Sequence, residues 1–311
     1  MSNQVIVARH GNPILKRMAA ASRVMRYLTG SPTARVRSFY ELNGRRITGK
    51  SAYRDVLGLK SLYVNYGYWM SGCTDQDKAC EALADKLADA AGITDGDHIL
   101  DVGFGYGEQD FRWLRTRNPE QIVGVNVTPS QVEIARQRAV ELNLADRLDL
   151  RVGSATALPF EADSFDRVVA LESACHFDTR QSFFEEAFRV LRPSGVIATA
   201  DLVPRVLAMS HKGLSARMES FGRGRVIPNC NWYPRTRYVE CLTEAGFVDV
   251  DVEDVSDKVL VPHAKHARKR LTAPGNEHLS RYERRSMRLY ANLIENRAIV
   301  QEYIIAVARK P

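Results

Sequence analysis

Glu172 and His176 lie four residues apart, just past the apolar run that ends at Leu171. An imidazole titrates near neutrality, so His176 is the side chain here best suited to take a proton from an alcohol. Glu172 suits either of two tasks, orienting that ring or binding a substrate hydroxyl. Cys175 does not make a nucleophilic pair with His176, because sequence neighbours rarely aim their side chains at each other and no third group orients them. His263-x-x-His266 has metal-ligand spacing on a helix, but no carboxylate or cysteine set accompanies it. It reads as part of a basic helical face, and no metal site is expected.

A second constellation lies at residues 99–107, Ile-Leu-Asp-Val-Gly-Phe-Gly-Tyr-Gly. The apolar residues around Asp101 read as a buried strand, and Gly103, Gly105 and Gly107 then turn the chain into a helix. Such a turn lets backbone approach a ligand closely, because glycine has no Cβ and tolerates φ > 0. The spacing departs from the G-x-G-x-x-G of dinucleotide enzymes and points to S-adenosylmethionine (SAM) rather than NAD. On that reading Asp101 accepts from the amino-acid ammonium, directly or through water, and the following helix N-terminus receives the carboxylate. Asn126, with Val127 beside it, ends the next strand where a ribose diol is usually held by Asp or Glu. An amide accepts from one hydroxyl and donates to the other, without the strength of a carboxylate. Gln131 reaches the same ribose, and the Ala155 backbone with the Ser154 hydroxyl reads the adenine edge.

The elements that must position these residues alternate regularly. Strands are expected at 98–102, 121–127, 148–152, 167–171 and 196–202, and helices at 77–90, 108–115, 129–142 and 180–191. This rhythm predicts an α/β fold, a mostly parallel sheet of Rossmann-like type with helices on both faces. Residues 204–234 break it and suggest a lid insertion over the active face. A helix at 236–245, a strand at 248–252, a basic helical segment at 257–297 and a last strand at 302–308 complete the chain. The domain reading is a basic helical arm or cap at 1–60, a ligand-binding core at 61–203, the lid, and the end of the sheet at 235–311.

The glycine turn, Glu161–Asp166 and Leu191-Arg192-Pro193-Ser194-Gly195 resemble the class I SAM-dependent methyltransferases. Val64–Gly72, Gln109-Asp110-Phe111 and Leu171–Phe177 resemble, more narrowly, the erythromycin O-methyltransferase group, which methylates a sugar hydroxyl on a macrolide. The resemblance is close over about 62–203 and weak at both ends. It implies a seven-stranded sheet, SAM as methyl donor with S-adenosylhomocysteine as product, and a bulky hydrophobic small molecule as acceptor. It also implies that the segment before the core closes over SAM, which brings in Tyr66, Tyr68 and Trp69 and puts Leu171 at the methyl-bearing end. Trp69 serves equally as a hydrophobic anchor for the cap. The competing reading is a methyltransferase for a lipid-like acceptor, a fatty-acid carboxylate or a prenylated or quinone carbon.

Composition narrows the classes further. The 311 residues carry a net charge of +7, distributed as +10 over residues 1–60, −11 over 61–257 and +8 over 258–311. An acidic middle between basic ends favours arm-to-core or intersubunit attraction, or contact with an anionic surface. Ile14, Met18, Ala21, Met25 and Leu28 form the apolar stripe of a basic amphipathic helix. It lies on a membrane, packs on a neighbouring subunit in a homo-oligomer, or covers the chain's own core. Packing against protein is the expected outcome. No nucleic-acid motif accompanies the basic ends. The five scattered cysteines, and the lack of any long apolar run or signal sequence, lead to the expectation of a cytoplasmic enzyme.

Overall fold

A computed structural model describes residues 13–48, 60–205, 226–272, 281, 285, 288, 292 and 301–311. Seven strands form one sheet: β1 (His98–Val102), β2 (Gln121–Asn126), β3 (Leu148–Val152), β4 (Phe165–Leu171), β5 (Leu191–Pro204), β6 (Val248–Asp254) and β7 (Gln301–Arg309). Their order is β3-β2-β1-β4-β5-β7-β6, with β7 antiparallel to both neighbours and the other pairings parallel. The chain winds outward from β1 to β3, then returns to place β4 on β1's other side. The crevice at the carboxyl ends of β1 and β4 is therefore the topological switch point, where open α/β sheets bind ligands.

The central strands are buried on both faces and read as near-continuous apolar runs for that reason. Helices α3 (Gln76–Ala91), α4 (Glu108–Thr116), α5 (Pro129–Glu141) and α8 (Ser256–Thr272) pack on one face. Helices α6 (Arg180–Val190) and α7 (Arg235–Glu244) pack on the other. Before them, α1 (Pro13–Thr29) and α2 (Pro32–Thr48) form a hairpin.

Three differences from the sequence reading stand out. β5 begins at Leu191, five residues before the expected strand, because 192–195 is a bulge and not a separate turn. Phe165 pairs with Leu191 but Arg167 with Val196, and Ser194 N–H donates to the Lys310 carbonyl at 3.0 Å. The basic segment after residue 256 is not simply a solvated face. Val259, Leu260, His263, Ala264 and Ala267 are fully buried, a stripe that the intervening Lys265, Lys269 and Arg270 disguise. His263 thus points inward, where Nδ1 meets Gln76 Oε1 at 3.0 Å, and His266 stacks against Trp69 with ring centroids 5.0 Å apart. Burial pushes His263 down to about 3 and His266 to about 4, so both are neutral at pH 7. In the hairpin, Tyr27 packs against Phe39, while Val24, Met25 and Leu28 are 45%, 59% and 42% exposed. The described part of the expected apolar stripe therefore faces outward. Most of the expected lid, residues 206–225, lies outside the described residues, and so does most of 273–300.

Candidate functional site

The glycine turn is shaped by its neighbours as much as by any ligand. Gly103 has φ +86, and a Cβ there would stand 2.4 Å from Ser173 Cβ at the end of β4. Ser173 in turn donates to the Val102 carbonyl at 2.6 Å, closing β4 onto β1. Gly105 has φ +60, but its missing Cβ would point into open space. Only the first glycine is demanded by packing; the second leaves room beside a cavity. Gly107, at φ +78, is the residue before α4 and does not line that cavity.

The cavity encloses about 810 Å³, counting its open mouth. Its floor is Gly103, Gly105, Asn126, Val127, Ser154 and Ala155, and its far end is Leu171, Glu172 and His176. Eight of the twelve expected cofactor positions and both expected catalytic residues line it. Asp101, Gly107, Tyr66 and Tyr68 do not.

Asp101 sits one layer behind. It is fully buried, and its Oδ2 accepts from Gln109 Nε2 at 2.9 Å, while Gln109 itself lines the cavity. Asp110 is buried beside Asp101, and the two cannot both ionise cheaply. Burial raises both carboxyls above the usual range, and the neighbouring Asp101 raises Asp110 further, so the pair holds a proton more readily than free carboxyls do. The Gln109-Asp110 pair was visible in the sequence, but its role needs the third dimension.

Asn126 is already heavily engaged. Its Nδ2 donates to the Gly105 carbonyl at 3.2 Å and to Gln131 Oε1 at 3.0 Å, and its Oδ1 accepts from Thr128 N–H at 3.2 Å. The expected donation to a hydroxyl therefore passes to Gln131, whose Nε2 is left over. Ser154 Oγ lies 3.1 Å from Thr156 Oγ1 and accepts from Thr156 N–H at 3.3 Å, an ST turn that shapes the backbone at Ala155.

Tyr66 and Trp69 anchor the strap at 63–69 instead of facing the cavity. The Tyr66 ring lies against His263 and Tyr303, with centroids 4.9 and 6.4 Å away. Trp69 is buried, donates from Nε1 to the Tyr66 carbonyl at 3.0 Å, and accepts no role at the cavity. Tyr68 packs against the core cluster. The strap lines the cavity with Val64 and Asn65 instead. Glu172 holds it there: Oε1 accepts from Tyr66 N–H and from the Tyr303 hydroxyl, each at 2.8 Å. Glu172 does not orient His176, which corrects one of its two expected tasks. It also sits at φ +52, a left-handed conformation costly for a side chain of this kind, held by its N–H to the Ala200 carbonyl at 2.8 Å. Burial pushes its carboxyl up to about 8.

His176 ends a single turn, Ala174–His176. Its Nδ1 is 3.0 Å from the Val226 carbonyl, which can only accept, so Nδ1 carries the proton. Nε2 keeps its lone pair, 3.5 Å from the Tyr40 hydroxyl. Burial lowers the pKa of the ring below the usual imidazole value, which favours this neutral form. Tyr40 comes from α2, as do Thr33 and Val36 at helical spacing along the same side of the cavity. Sequence reasoning missed all three, and the only available signal was their common face on α2.

A methyltransferase domain model matches residues 100–199. Over 236 residues the chain is 46% identical to erythromycin 3''-O-methyltransferase of Saccharopolyspora erythraea, covering 74% of each. The chain belongs to the class I SAM-dependent methyltransferases. This methyltransferase is also 32% identical over 271 residues to the 27-O-demethylrifamycin SV methyltransferase of Amycolatopsis mediterranei, covering 85% of this chain and 96% of the relative. Among solved structures it resembles the [4+2]-cyclase SpnF, with 25% identity, a TM-score of 0.70, and coverage of 90% and 97%. The fold therefore also carries chemistry that its strand order does not announce. For SAM, the fit rests on Gly105's open side and on Gln109, which lines the cavity with Asp101 bound behind it.

Proposed function

We propose that this enzyme transfers a methyl group from SAM to a hydroxyl on a bulky, largely apolar natural product of the macrolide-sugar kind, with His176 as the general base. One observation carries the second half: Nδ1–H is committed to the Val226 carbonyl, so the basic nitrogen is the one at the cavity wall. The first half rests on the relatives, of which two in particular are described as O-methyltransferases or methyltransferases of antibiotics.

Bound SAM supplies an electrophilic methyl on a sulfonium. The protein's share is alignment, exclusion of water and removal of the acceptor proton. Gln109, held from behind by Asp101, would take the ammonium, Gln131 and Asn126 the ribose, and the Ala155 backbone the adenine. The neutral His176 Nε2 takes the hydroxyl proton as the new carbon–oxygen bond forms, and the Val226 carbonyl steadies the resulting imidazolium. Tyr40, within reach of Nε2, holds the ring's outer edge. A carboxylate acceptor would need no base, so His176 separates that reading from this one.

His176→Ala should lower kcat on a demethylated macrolide glycoside by about 10²- to 10⁴-fold, with SAM affinity by calorimetry unchanged. In the parent enzyme kcat should fall only below the ordinary imidazole range, because burial lowers the His176 pKa. Full turnover in the alanine variant would remove the base assignment.

A further inference from the structure

The His176 turn is held by a residue that the reaction itself does not touch. Asn231 ends a short turn, Asn229–Asn231, and is 1% exposed. Its Nδ2 donates to the carbonyls of Cys175 and Phe177, at 3.1 and 2.7 Å, which are the residues on either side of His176. Its Oδ1 accepts from Arg180 N–H at 2.9 Å, and its own carbonyl accepts from the Arg180 guanidinium. With two carbonyls on one side and an N–H on the other, the amide has a single workable orientation. Arg180 is anchored below by Asp201, Nε to Oδ2 at 2.8 Å with both side chains fully buried, and by the Leu202 carbonyl at 2.7 Å.

The same short segment supplies the partner of the imidazole. Val226, five residues before Asn231, offers the carbonyl that accepts from His176 Nδ1. Asn231 therefore fastens both halves of one hydrogen bond. It grips the backbone on both sides of the histidine, and it is part of the segment that carries the acceptor.

We propose that Asn231 is a positioning residue that sets the tautomer of His176, by clamping the 226–231 segment to the turn at 174–177. This rests on His176 as the base for its catalytic consequence, but the tautomer itself is a property of the resting protein. Without the clamp the Val226 carbonyl is free to leave Nδ1. The proton then has no reason to stay there, and the Tyr40 hydroxyl, which can also accept, is a partner for a proton on Nε2. A ring protonated on Nε2 presents a donor to the acceptor hydroxyl where a base is required.

The test compares Asn231→Asp and Asn231→Ala with the parent enzyme. Aspartate keeps the volume and the contact with Arg180 but replaces the one nitrogen that donates to two carbonyls with an oxygen facing them. Nitrogen NMR of histidine-labelled protein at pH 8, with His176 identified by its loss in His176→Gln, should show a proton held on Nδ1 in the parent. The aspartate variant should show a mixture or the opposite tautomer, and kcat should fall roughly 10- to 100-fold while SAM affinity stays within about 2-fold. An unchanged Nδ1–H signature in both variants overturns the proposal, as does a loss of SAM affinity that matches the loss of turnover. A changed tautomer with kcat intact supports the clamp and overturns the base role of His176 instead.

Discussion

Glu172 shows how a residue chosen for chemistry turns out to do mechanical work as well. Its Oε1 takes both available bonds, from Tyr66 N–H and from Tyr303, and so pins the strap over the sheet. Burial raises its pKa from 4.5 to about 8, so the folded protein prefers it protonated. That preference stabilises the fold fully below the unfolded value and is lost as pH rises through about 8. Glu172→Gln can keep both bonds through its carbonyl oxygen while removing the titration. We expect its melting temperature to depend less on pH between about 6 and 8 than the parent's, which should fall as pH rises. An identical slope in the two proteins would locate the pH dependence elsewhere, with Asp101 and Asp110 the next groups to test. Neither the strain at Glu172 nor its bond to a strand 131 residues away could be read from the sequence, because both arise only when β7 is in place.

At the scale of elements, the two cavity-lining glycines of the turn after β1 make opposite demands. Gly103→Ala puts a methyl 2.4 Å from Ser173 Cβ at φ +86, so it should lower thermal stability strongly. Gly105→Ala meets only the left-handed strain of about 1–2 kcal/mol, since its Cβ would enter open space. Its larger effect should be on SAM affinity, measured by calorimetry, because the added methyl points where a ligand is expected. Equal losses of stability and affinity in the two variants would contradict this division. The parallel strands and their helices were legible in the sequence because apolar runs of four to seven residues alternate with amphipathic segments. Helix α8 was legible as a basic helix but its buried face was not, since Lys258, Lys265 and the run Arg268–Arg270 surround Val259, Leu260, His263, Ala264 and Ala267. The cavity-lining face of α2 was not legible, since Thr33, Val36 and Tyr40 are a mixed face that no periodicity argument singles out.

For the whole molecule, the catalytic end is assembled from four distant stretches: α2, the strap, the end of β4 and the segment at 226–231. The strap and the β4 end announce themselves in sequence; α2 contributes a mixed face of three side chains and the 226–231 segment a backbone carbonyl. Deleting residues 1–48 removes the wall formed by Thr33, Val36 and Tyr40 but none of the seven strands. The truncated protein should still melt cooperatively, yet bind SAM more weakly and turn over little acceptor. Parent-like affinity and turnover would reduce the hairpin to decoration. Val24 and Met25 are exposed on a helix without a single acidic residue.

The bond from Tyr303 to Glu172 also sets an order in time. Synthesis runs from the amino end, and the glycine turn, β4 and most of β5 leave the ribosome about a hundred residues before β7. At ribosomal rates of roughly 5–20 residues per second, the edge of β5 waits on the order of 5–20 s for its neighbour. Through that interval Glu172 lacks its Tyr303 partner, and the longest strand of the sheet stands unpaired on one side. Nascent chains of this enzyme should therefore be inactive and prone to sticking until residues 301–309 emerge. Assembly of the site is gated by translation of its final strand.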